Sequence, residues 1–110
     1  MFVDARGGKW DHWLNLRQNY GFILIPLIRK LYSMWREQEN KLVREFKFQD
    51  FQEAFTFMTR VAFIAERMNH HPEWFNIYNY VRIELTTQED GPRVSEKDRR
   101  FAAAIDNFLK

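Results

Sequence analysis

The stretch DFQEAFTFMTRVAFIAERMNHHPEW, residues 50–74, decides how this chain folds. Asp50 followed by Glu53 forms a capping-box pattern, so a helix is expected to begin there. At about 100° per residue, Phe51, Ala54, Phe55, Phe57, Met58, Val61, Ala62, Ile64, Ala65 and Met68 spread over about half of the helix surface. Phe63 falls outside that arc, among Gln52, Thr56, Thr59 and Arg67. One sheet needs less apolar surface than this, so the helix is expected to touch something else as well. It should run to about Asn69 and be ended by Pro72, because the residue before a proline is pushed out of the α region. At its foot stand His70 and His71.

Downstream, residues 74–87 hold too many Trp, Phe, Ile, Tyr and Val for a loop. Asn76 and Asn79 break the pattern. The expectation is a short strand over 74–78, a turn near Asn79, and a clean strand over 81–87, where Val81, Ile83 and Leu85 alternate with Arg82, Glu84 and Thr86. Residues 88–93, with Gly91-Pro92, read as a loop. Ser95, with Asp98 three places on, caps a last helix whose stripe is Phe101, Ala102, Ile105, Phe108 and Leu109.

Upstream, residues 42–48 alternate as a strand, with Phe46 and Phe48 on one face and Glu45 and Lys47 on the other. Residues 36–41 are polar and read as a connector. A helix is expected from Pro26, with Leu27, Ile28, Leu31, Tyr32 and Trp35 on one face. Residues 1–25 carry the breaker Gly7-Gly8 and scattered aromatics, and stand as an unassigned extension before a domain of residues 26–110. The predicted order is αβαββα. The short link between the last two strands makes that pair antiparallel, so the class is α+β, a small antiparallel sheet with three helices packed on one face.

At 110 residues, with 45% hydrophobic and 17% aromatic side chains, the chain has enough apolar mass for one globular core. The net charge of +2 is spread among interspersed charges, which excludes a basic nucleic-acid-binding patch as the organising feature. The apolar run 22–28 is broken by Pro26 and is far below the roughly 20 residues of a membrane span. The N-terminus lacks a basic-then-apolar pattern, so no secretory leader is expected. The absence of cysteine fits a reducing, cytoplasmic setting and leaves no thiolate metal site.

Two adjacent imidazoles can divide proton transfer, one accepting while the other donates. Glu66 lies four residues before His70 and would share its face if the helix continues that far, fixing a tautomer. Trp74, Phe75 and Tyr78 offer flat apolar walls for a planar substrate. A helix-end histidine pair also serves as an ordinary cap, and spacing alone leaves both readings open. A metal site is disfavoured, because the H-E-x-x-H spacing is absent.

Taken together, FKFQDFQEAFTFMTRVAFIAERMNHHPEWFNIYNYVRIELTT and the S-E-K-D that opens the last helix closely resemble the pterin-4a-carbinolamine dehydratases, also known as dimerisation cofactors of a homeodomain transcription factor. The resemblance rests on E-x-x-x-H-H-P-x-W, a Tyr six residues after the proline, and an Asp further on. It implies dehydration of 4a-hydroxytetrahydropterin to the quinonoid dihydropterin, in recycling of tetrahydrobiopterin, with no metal or organic cofactor. By position it implies catalytic roles for Glu66, His70 and His71 and substrate contacts from Pro72 and Trp74. Gln88 stands where the family usually has a third histidine; it can hydrogen-bond substrate but cannot exchange a proton near neutral pH. The resemblance further implies a homodimer or homotetramer. A relative with weakened catalysis, acting by oligomerising or by binding another protein, is the alternative.

Overall fold

The computed structural model describes residues 34–109. Its elements are β1 (Arg36–Gln38), β2 (Lys41–Lys47), α1 (Phe51–Met68), β3 (Glu73–Ile77), β4 (Tyr80–Leu85) and α2 (Glu96–Leu109). The strands form one sheet of order β1-β2-β4-β3, antiparallel throughout. The α+β class stands, but the described residues hold two helices and four strands, not three and three. Most of the helix expected from Pro26, and all of residues 1–25, lie outside the described residues.

The segment read as a polar connector is instead the first hairpin. Its two turn residues, Glu39 and Asn40, both adopt positive φ, 50° and 64°. That is the geometry a two-residue hairpin demands. Without an Asn-Gly or Asp-Gly pair, nothing local announces it. Trp35 precedes β1 rather than ending a helix, and its indole N–H donates to Asp106 Oδ1 on α2 at 2.8 Å.

Register sorts the sheet into two faces. Leu42 opposite Leu85, and Phe46 opposite Val81, put these side chains and Ile83 on the side where both helices pack. That core holds Ala54, Phe57, Val61, Ile64 and Ala65 of α1 with Phe101, Ala102 and Ile105 of α2. Phe57 binds it together, 4.7 Å from the Phe46 ring and 4.9 Å from Phe48 between centroids. Leu109, expected in the buried stripe of α2, is exposed. The opposite sheet face carries charge: Arg36 forks onto Glu45 at 2.9 and 2.7 Å, and Arg82 Nε donates to Glu84.

The wide apolar arc of α1 is only partly used. Ala54, Phe57, Val61, Ile64 and Ala65 are buried, whereas Phe51, Phe55 and Ala62 face outward and Phe63 is 68% exposed. No helix among the described residues is long and apolar enough to cross a membrane.

Candidate active site

Three chain ends converge to make the site. The C-terminus of α1 delivers the histidines, the N-terminus of α2 delivers Asp98, and the segment just after β4 delivers Thr87.

The end of α1 is set by Asn69, not by Pro72. Asn69 takes a left-handed conformation (φ 49°, ψ 44°), its N–H bonds Glu66 O at 3.2 Å, and the His70 N–H bonds Ala65 O at 3.1 Å. This is a Schellman closure, for which Asn is the best residue after Gly. It turns the chain before His70, so the pairing expected from four-residue spacing does not form. Glu66 instead meets His71, with Oε1 2.8 Å from Nε2. Both partners are open to solvent, their side chains 80% and 58% exposed.

His70 turns inward, its side chain 12% exposed, and its Nε2 lies 2.5 Å from Oδ1 of Asp98, which is wholly buried. The ring also stands edge-on to Phe101, centroids 6.2 Å apart. The other carboxylate oxygen of Asp98 accepts from Thr87 Oγ1 at 2.9 Å, from the Ser95 N–H at 2.8 Å, and from Ser95 Oγ at 3.4 Å. Burial by itself would raise the Asp98 carboxyl, but the bonds from His70, Ser95 and Thr87 outweigh it and hold the group below its ordinary value of 3.8.

Thr87 pairs with Arg93 through both backbone bonds, 2.9 and 3.0 Å, closing the loop between them. Gln88 is the first residue of that loop and is exposed. Gly91 turns the loop at φ 93°, a conformation that side chains rarely adopt. Trp74, on the edge strand β3 opposite Ile83, shares the helix-bearing face and is partly exposed. Pro72 stands between the histidine pair and β3, and a proline disfavours the helical region for the residue before it.

Periodicity does not mark Thr87 and Asp98 as site residues. Asp98 reads as a cap residue, and it does bond the Ser95 N–H; only the packing of α2 on the end of α1 reveals its second partner. Among the described residues no group of three or more His, Cys, Asp or Glu could hold a metal ion. A shallow groove of about 630 Å³ lies elsewhere, between the outer sides of α1 and α2, lined by Arg60, Phe63, Ile64, Arg67 and Phe108. It contains no titratable pair suited to proton transfer.

Against known proteins, the family described as Pterin 4 alpha carbinolamine dehydratase matches residues 25–108. The chain belongs to the pterin-4a-carbinolamine dehydratase family. A relative from Prochlorococcus marinus, named for that enzyme, is 49% identical over 82 residues, covering 74% of this chain and 84% of its own. Another so named, from Solibacter usitatus, is 53% identical over 74 residues, covering 67% and 77%. Among solved structures, the transcriptional coactivator/pterin dehydratase from Brucella melitensis superposes with a TM-score of 0.66 at 34% identity, covering 78% of this chain and 93% of its own. A pterin dehydratase-like protein identified as a RuBisCO assembly factor in the alpha-carboxysome gives 0.58 at 29% identity, covering 66% and 86%. The family match spans the sheet, most of both helices and every site residue named above.

Proposed function

We propose that this protein dehydrates 4a-hydroxytetrahydropterin to the quinonoid dihydropterin by acid–base catalysis from His70 and His71, with Glu66 assisting His71. The observation that carries it is the histidine pair itself: two adjacent imidazoles, each held by a different carboxylate, at 2.5 and 2.8 Å. In the reaction the C4a–O bond breaks with its electrons on oxygen, which takes one proton and leaves as water. A ring N–H gives up its proton, and that electron pair forms the C=N bond. One acid and one base suffice, and no electron is transferred to or from the substrate. Exposed Trp74 is suited to stack against the pterin, and Pro72 and Gln88 are assigned further substrate contacts.

The test is a dehydratase assay. Wild type should accelerate carbinolamine dehydration, and His70→Ala and His71→Ala should each slow it on the order of 10²-fold or more with the fold intact. A folded wild type that produces no acceleration would sink the proposal.

A second reading, a protein-binding role with weakened catalysis, draws on the exposed Phe51, Phe55 and Phe63 of α1. The two solved relatives named for coactivation and for assembly support it as a class. Self-association into dimers or tetramers is compatible with both readings. Sedimentation of wild type at several concentrations measures it.

A further inference from the structure

We propose that Asp98 is a positioning residue that holds His70 as the Nε2–H tautomer, leaving His70 Nδ1 as the proton acceptor of the site. The chemical role assigned to Nδ1 rests on the dehydratase reading; the tautomer does not.

The argument starts from what a carboxylate can do. Ionised, it only accepts hydrogen bonds. Asp98 uses one oxygen for His70 Nε2 at 2.5 Å and the other for Thr87 Oγ1 and Ser95, so Nε2 must carry the hydrogen. The bonds that keep its pKa low keep it ionised across the neutral range. A neutral imidazole protonated on Nε2 presents a lone pair on Nδ1. The carboxylate cannot swing away, because it is fully buried and bonded to elements on both sides. His71 has no such restraint: its partner Glu66 is exposed on the helix surface and free to turn with it. The two histidines are therefore unequal. His70 Nδ1 takes the proton from the ring N–H, whose electrons form the C=N bond. His71, in exchange with solvent through Glu66, protonates the departing hydroxyl, whose C–O electrons leave with oxygen as water.

Asp98→Asn makes a sharp test, because the Ser95 backbone N–H cannot change its role. It needs an acceptor, so the carbonyl of the new amide must face Ser95 and its nitrogen must face His70. That nitrogen is a donor. It would force Nε2 to accept and move the hydrogen to Nδ1, abolishing the base while preserving the shape of the side chain. The same logic explains the loss of activity in the serine-protease triad when its Asp is made Asn.

The experiment is long-range proton–nitrogen correlation NMR on protein labelled with ¹⁵N-histidine, at a pH where the rings are neutral. The His70 signals are identified by their loss in His70→Ala. Wild type should show His70 as the Nε2–H tautomer, and Asp98→Asn should show Nδ1–H. If wild type is a dehydratase, Asp98→Asn should lower kcat on the order of 10²- to 10⁴-fold with KM little changed. A wild-type His70 protonated on Nδ1 would overturn the proposal without any variant, even if Asp98→Asn fails to fold. So would an Asp98→Asn spectrum that stays Nε2–H. A silent assay with the expected tautomers would instead reject the dehydratase reading and leave the positioning role intact.

Discussion

At the scale of single residues, Gln88 is the position at which the proposed dehydration is most directly probed. It sits at the loop mouth, one residue beyond Thr87, whose hydroxyl holds Asp98. A glutamine there can bond substrate yet cannot move a proton. Installing a titratable ring at the position after Thr87, with the His70–Asp98 pair intact, should add an acid or base if the side chain reaches the substrate. Gln88→His is expected to raise kcat for carbinolamine dehydration by about 10-fold or more, at the modest end of what a single general acid or base supplies. Steady-state kinetics on the variant beside wild type measures this. An unchanged kcat would mean that two histidines suffice and that position 88 only orients substrate.

At the scale of elements, the end of α1 carries the most consequence. The capping pattern at the other end behaves as read, with Asp50 Oδ1 accepting the Glu53 N–H at 2.8 Å. Its reciprocal arm slips by one place: Glu53 accepts from the Gln49 N–H at 3.3 Å instead of from the cap residue. The pattern of residues ends the helix at about Asn69 and credits Pro72 with the stop; the end falls there, but the left-handed Asn69 makes it. A β-branched side chain is strained there, at a cost of about 1–2 kcal/mol. Asn69→Val should lose about that much in urea unfolding and slow catalysis by misaiming His70 and His71. Asn69→Gly should hold stability to within about 1 kcal/mol, since glycine accepts the conformation without strain. Equal losses in both variants would locate the stop elsewhere.

At the scale of the whole molecule, buried carboxylates link stability to acid. Asp98 is held below its ordinary value by His70, Ser95 and Thr87 against the opposing effect of burial. Glu84 is likewise lowered, because the bonds and charges of Arg82 and Lys41 outweigh burial. A carboxyl depressed in the folded state binds protons more readily in the unfolded one, so stability is present above the unfolded pKa and is lost as pH falls. The Tm should decline as pH drops below the ordinary values of 4.5 for Glu84 and 3.8 for Asp98. Asp98→Asn should lower Tm near neutrality and flatten the part of the decline that lies below 3.8. Calorimetry across pH on both proteins tests this; a parallel decline would show that Asp98 contributes nothing to the acid limb.

The long helix, the β3–β4 hairpin, the closing helix, the family and the place of the histidines are all legible along the chain. They rest on local signals: caps, alternation, and a short motif. Which carboxylate serves which histidine is settled only by the folded chain. Spacing offers Glu66 to His70, but a single left-handed residue turns the chain and gives Glu66 to His71. His70 finds Asp98, twenty-eight residues away, because both helices pack on the same sheet face with the end of one against the start of the other. The first hairpin stays hidden for a related reason. β1 is an edge strand of polar residues, held by pairing with β2 and not by an apolar pattern of its own. Local periodicity reports what a segment buries; it does not report which distant segment will meet it there.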